Sequence, residues 1–176
     1  TAQTKFPQDT SITTTAKNIT NMQSDNLMAK ASEFYKNKDF QKAAETYISL
    51  TPATADSMIG AATSFEELGD KDKALMYYQK AFELKPADSD IAYYIASIYG
   101  EKEDFVNAKV YLQKSIALNK NNTLAQEFLA SIEESDRANL LNDAISLYDE
   151  NKMDESFAKF NELLTQDPQN SYALYY

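Results

Sequence analysis

The sequence contains no cysteine, no histidine and no tryptophan in 176 residues. The first two absences exclude a disulfide frame, a thiolate nucleophile, a Cys/His zinc site and an imidazole general base. An absence of cysteine also fits an extracytoplasmic chain that avoids mispairing. Glycine (3) and proline (4) are scarce, which disfavours a strand-rich fold, whose turns consume both. No glycine-rich phosphate-binding loop occurs. Apolar runs are short as well. None approaches the ~18 consecutive apolar residues of a spanning helix, so no direct membrane insertion is expected. Cations are in deficit, 17 against 27 acidic residues, for a formal charge of −10. Nothing here would neutralise a row of phosphates, so no nucleic-acid partner is expected, and an anionic membrane surface would repel the chain.

The carboxylates themselves do not suggest catalysis. Glu66/Glu67 and Glu133/Glu134 are their main concentrations. Adjacent helical residues diverge by about 100°, so neither pair converges as an acid/base dyad would, and both read as solvated helix faces. Asp88-Ser89-Asp90 begins like a calcium loop, but Ile91 and Ala92 follow and the required glycine is missing. The expectation is a non-enzymatic protein with no catalytic residue, no metal and no cofactor.

What the sequence does contain is repetition. Ser89 to Asn122 reads as one helix–turn–helix unit, and much of the chain copies it. Sliding it back by 34 residues places Tyr99 on Phe65, Ala96 on Ala62, Ala108 on Ala74, Leu112 on Tyr78 and Leu118 on Leu84. Sliding back another 31 places Phe65 on Phe34, Ala62 on Ala31, Ala74 on Ala43 and Tyr78 on Tyr47. Small residues recur where two helices must approach closely, and aromatics recur where they fill the space between. Self-similarity at this period marks a repeat array. The second copy, Ala55 to Asp88, carries Ala62, Phe65, Gly69-Asp70, Ala74, Tyr78, Ala81 and Pro86, and in this it resembles the tetratricopeptide repeat. The Trp often found near the start of that repeat is replaced by Met58. The resemblance implies an all-α fold, a right-handed α-solenoid (superhelix) of antiparallel helix pairs, with about four repeats plus one extra helix.

In chain order, residues 1–23 are Thr-rich without a helical period and read as a flexible leader or linker. The segment fits a remnant of signal cleavage, a tether below an anchor, or an ordinary disordered N-terminus, and the first two lean towards an extracytoplasmic or membrane-tethered location. The repeat domain is expected over 24–176. Ser24 or Asp25 caps its first helix, which runs to about Lys36. Asn37-Lys38-Asp39 forms the turn, and Phe40 to Leu50 the second helix, shortened by nearly a turn because Pro52 ends repeat 24–54 early. Repeats 55–88 and 89–122 follow, with Ser89 or Asp90 capping the first helix of the latter. Thr123 to Ser135 then reads as a first helix with no second helix in register, an extra helix over 123–136. Repeat 137–170 completes the set. Ala96 to Ala144 spans one repeat plus 14 residues, and nothing between Glu133 and Arg137 breaks a helix. Thr123 to Asp149 is therefore either one long helix or two joined by a kink at Ser135-Asp136. Residues 171–176 open a further helix, and three tyrosines within five residues make a poor polar cap. They suggest a longer protein, or an end that docks on another chain.

In tetratricopeptide arrays the first helices line a concave groove that holds a peptide. Transferring the family's groove positions gives Met28, Ser32, Tyr35 and Lys36, then Ile59, Gly60, Thr63, Glu66 and Glu67, then Asp90, Tyr93, Tyr94, Ser97 and Glu101. Asp90, Tyr93, Ser97 and Glu101 share one helix face by spacing. One subclass holds the carboxylate of chaperone tails with a cationic clamp. At those positions stand Met28, Ser32, Gly60, Asp90 and Tyr94, none of them a cation, so an acidic tail would be repelled. The expectation is a protein–protein interaction scaffold whose groove takes a basic or apolar-aromatic peptide or helix. The alternative is a self-association module, a homo-oligomer formed through the Tyr-rich C-terminal end or the irregular 123–137 region.

Overall fold

The computed structural model describes the backbone of residues 10–176 and the side chains of residues 21–176. The described residues form helices α1 (Thr10–Lys36), α2 (Phe40–Ile48), α3 (Ala55–Glu67), α4 (Lys71–Leu84), α5 (Ser89–Glu101), α6 (Phe105–Leu118), α7 (Thr123–Asp149), α8 (Met153–Gln166) and α9 (Ser171–Tyr175). They assemble as the expected all-α right-handed solenoid. The antiparallel pairs are α1–α2, α3–α4, α5–α6, and the C-terminal half of α7 with α8.

The turns inside the pairs show why each pair forms. Lys38, Gly69, Glu103 and Asn151 all have φ between 59° and 75°. Each places a left-handed residue just before the cap of the second helix. Only Gly69 occupies that region without a steric penalty. Asp39, Asp70 and Asp104 then accept hydrogen bonds from the backbone N–H of Lys42, Lys73 and Asn107, satisfying one orphan donor of the first turn. Lys152 stands at the fourth such position and makes no side-chain cap. Between pairs, Thr54 and Ser57 form a reciprocal capping box at α3. Asp88, rather than Ser89 or Asp90, caps α5, because its carboxylate reaches the amides of both Asp90 and Ile91.

Close approach is achieved with alanine. Ala31, Ala43, Ala61, Ala62, Ala74, Ala96 and Ala108 are fully buried. Aromatic pairs fill the spaces beside them, with Phe65 stacked on Tyr77 at 5.5 Å and Tyr99 on Tyr111 at 5.7 Å. The core runs as four clusters. Three lie under α1–α3, α3–α5 and α5–α7, and the fourth joins Leu140, Ala144, Phe160, Leu163 and Ala173. Buried polar groups are bonded. The Ser115 hydroxyl donates to the Ser89 carbonyl at 2.8 Å, and the Asn122 side-chain amide donates to Ser115 at 2.9 Å. This ties α6 to the starts of α5 and α7.

Two elements differ from the sequence reading or decide it. Helix α1 begins at Thr10, well before Ser24, so 10–23 is helical although it shows no apolar period. No glycine or proline lies between Thr10 and Lys36, and threonine lowers helix propensity without stopping propagation. Ser24 does not cap it; its hydroxyl donates to the Thr51 carbonyl at 3.3 Å. Helix α7 is one continuous 27-residue helix. Its N-terminal half belongs to the third core through Ala125 and Ile132, and its C-terminal half to the fourth through Leu140 and Ala144. As the sequence suggests, α2 is short, 9 residues against 14 in α4 and α6.

Candidate functional site

Helices α1, α3 and α5 carry the residues assigned to the groove, and their chemistry meets at the C-terminal ends of α1 and α3. The Tyr35 hydroxyl of α1 donates to Glu67 Oε1 of α3 at 3.1 Å. The Tyr78 hydroxyl, arriving from α4, donates to Glu66 Oε2. The Tyr78 ring lies 5.4 Å from that of Tyr94 on α5, and Tyr94 lies 6.2 Å from Tyr93. Glu101, at the end of α5, is paired with Lys71 at 3.2 Å. Three helices of first position and one of second position thus meet in a patch of tyrosine rings and carboxylates.

The electrostatics follow from this placement. Burial raises the Glu66 carboxyl above its ordinary 4.5, and the negative charges of Glu101 and Glu67 push the same way. The Tyr78 hydrogen bond opposes them. Burial and the Glu66 acceptor together drive the Tyr78 phenol well above the usual tyrosine range. Burial raises Tyr94 as well, with Asp90 and Asp88 contributing, and Tyr35 rises by burial and its bond to Glu67. Among the described residues neither Glu66 nor Glu67 has an ion-pair partner. The patch therefore holds net negative charge beside exposed ring surface.

Other assigned residues are placed differently. Met28 lies half-buried against the α1–α3 core, Ile59 against the α3–α5 core and Tyr93 against the α5–α7 core. Thr63 donates to the Ile59 carbonyl at 3.1 Å and Ser97 to the Tyr93 carbonyl at 3.1 Å, so both hydroxyls serve their own helices. Ser32 is half-buried. Gly60 meets the ring of Tyr47, where an added Cβ would lie 2.6 Å from ring carbon. Asp90 and Glu101 are exposed. Tyr78 and Lys71 complete the patch without having been assigned to it. The signal for Tyr78 was its alignment with Leu112 of the next repeat: a buried tyrosine at a leucine position needs a partner for its hydroxyl.

Antiparallel helix pairs stacked through alanine and aromatic contacts define a helical-repeat array. Residues 55–88 and 90–122 match the family model for the tetratricopeptide repeat. The chain carries tetratricopeptide repeats. Solved structures agree in fold. PcrH, crystallised in complex with the chaperone binding region of PopB, is similar over 62% of this chain and 90% of its own, at 16% identity and TM-score 0.53. The TPR domain of P58(IPK) is similar over 90% of this chain at 14% identity and TM-score 0.63, and this chain spans 45% of that one. MamA is similar over 81% of this chain and 77% of its own, at 16% identity and TM-score 0.53. No curated protein sequence matches the chain. No helix among the described residues is long and apolar enough to cross a membrane.

Proposed function

We propose that this chain is a non-enzymatic scaffold that holds a basic, aromatic-rich peptide or helix of a partner protein across the face shared by α1, α3 and α5. The observation that carries this reading is the pair Glu66 and Glu67, two carboxylates without cations, framed by Tyr35, Tyr78 and Tyr94. A lysine or arginine arriving there supplies the missing charge, and the rings take its aliphatic stem or an aromatic neighbour. The crystallised complex of PcrH with a binding region of PopB supports peptide capture as a use of such a fold. Panning a displayed random-peptide library against the chain tests the reading. Enriched segments carry Lys or Arg beside an aromatic residue, and a Glu66→Lys/Glu67→Lys variant loses them. Enrichment of acidic segments, or retention by the charge-reversed variant, would reject it.

A second reading, self-association, is favoured by one feature. Tyr172, Leu174 and Tyr175 stand 63–84% exposed at the C-terminal end, while Tyr176 stacks on Phe160 at 5.0 Å. An apolar patch of this kind suits an interface.

A further inference from the structure

The repeat pattern omits one helix, and the fold keeps its place open. In regular order each first helix is followed by a second, and consecutive second helices lie side by side: Phe82 of α4 meets Tyr111 of α6 at 6.3 Å. After the N-terminal half of α7 the next second helix should stand beside α6. Instead α7 runs straight on to pair with α8. Between α6, α7 and α8 lies a cavity of about 860 Å³. Its α6 wall extends from Val106 to Gln113, two helical turns. A helix about 10 Å across and two turns long occupies on the order of 800 Å³. The space takes about two turns of a second helix, roughly half the 14 residues of α4 or α6.

The lining says what kind of helix fits. Val106 and Val110 sit one above the other on α6 and are 73% and 43% exposed, with Leu140 across from them on α7. They make an apolar floor. Lys109 is committed to Asp136 at 2.7 Å, and Asp143 faces Lys159 at 3.9 Å. Glu133, Glu162 and the chain's sole arginine, Arg137, have no ion pair among the described residues. The unmatched charge of the slot is therefore net negative, and a second copy of a chain at −10 is repelled from it.

We propose that this slot receives an amphipathic helix of net positive charge from a partner protein, which takes the place of the omitted second helix. This site lies apart from the tyrosine–carboxylate patch and does not depend on it.

The chain's own α6 sequence, residues 105–118, supplies a probe: it is a second helix with two lysines and no acidic residue. A fluorescein-labelled peptide of that sequence is titrated into the full chain by anisotropy. A second peptide has both lysines changed to glutamate. Because the chain has no cysteine, single labels at Asn139→Cys in the slot and Asp90→Cys on α5 report location. The expected result is saturable binding of the basic peptide that shifts the Asn139→Cys label alone. Binding weakens about tenfold or more for the acidic peptide and for Val106→Asp and Val110→Asp variants. Both variants replace exposed side chains, and unchanged circular dichroism establishes their folding. No saturation by about 1 mM, a class of contact weaker than ~4 kcal/mol, overturns the proposal. So does a response at the Asp90→Cys label, equal affinity for the two peptides, or unchanged affinity in both variants. A slot-label shift that grows with protein concentration without peptide assigns the slot to a second copy, and likewise overturns it.

Discussion

At the residue scale, the four intra-pair turns offer an internal comparison. Three second helices start with an aspartate cap, and α8 starts with Lys152, whose ammonium pairs with Glu150 at 2.6 Å in solvent. Such an exposed pair contributes little, whereas a cap contributes about 1 kcal/mol. Lys152→Asn should therefore stabilise the chain by roughly 1 kcal/mol in urea unfolding; asparagine adds no charge beside Asp154 and Glu155. A decrease in the urea midpoint would show that Lys152 does something at that turn beyond occupying it. Glu66 gives a pH prediction. Its folded-state carboxyl is raised above 4.5 by burial and by Glu101 and Glu67, so the folded state binds the proton more tightly than the unfolded one. That contribution is fully present below pH 4.5 and is lost as pH rises through the raised value. Glu66→Gln keeps an acceptor for Tyr78 and removes the ionisation. Variant and wild type should differ least at low pH, with the variant gaining relative stability as pH climbs. A difference that stays flat from pH 4 to 8 would contradict the assignment. Tyr78 itself shows a limit of reading residues by repeat position. Its recurrence marked it as packing, which it is, but only the fold reveals that its hydroxyl emerges beside Glu66.

At the scale of elements, legibility followed punctuation. The ends of α3 and α4, at Glu67 and Leu84, were readable because Gly69 and Pro86 mark where propagation stops. The start of α1 was not, since nothing between Thr10 and Ser24 forbids a helix and no apolar stripe announces one. The groove residues were transferred by repeat position, which carries no information about the local rotation of each helix. Tyr35 reaches Glu67 and Tyr94 the ring of Tyr78, while Met28, Ile59 and Tyr93 lie against cores. Helix α7 remained undecided in the sequence for a specific reason. Glu133 to Arg137 holds no helix breaker, yet continuity there depends on two separate cores pulling on one helix. That dependence is testable at Ala138, an exposed alanine midway between the two. Ala138→Gly should cost about 1 kcal/mol, the exposed-interior penalty. Ala138→Pro removes a hydrogen bond and clashes with the preceding turn. It should split thermal unfolding into two steps, with α8 and α9 melting ahead of the rest. A single cooperative transition in the proline variant would mean that the two cores are coupled by contacts other than the helix itself.

For the whole molecule, charge is the variable that separates the two functional readings. At −10 two copies repel each other, with a reach of about 30 Å at 0.01 M salt and about 10 Å at 0.1 M. Association through Tyr172, Leu174 and Tyr175 is apolar, so salt removes an obstacle without weakening the contact, and self-association should strengthen as salt rises. Capture of a basic segment by Glu66 and Glu67 runs the other way, since salt screens the attraction that selects the partner. Light scattering at several concentrations and at two ionic strengths reads the first. The peptides enriched by panning, titrated at the same ionic strengths, read the second. We expect peptide affinity to fall as salt rises. Any dimer should grow with salt and vanish in a Tyr172→Ser/Leu174→Ser/Tyr175→Ser variant, whose changed side chains are exposed. A dimer that dissolves with salt would place charged groups, not the terminal tyrosines, at the contact. Peptide binding indifferent to salt would leave the rings of Tyr35 and Tyr94 as the whole of the recognition, and the carboxylates as bystanders.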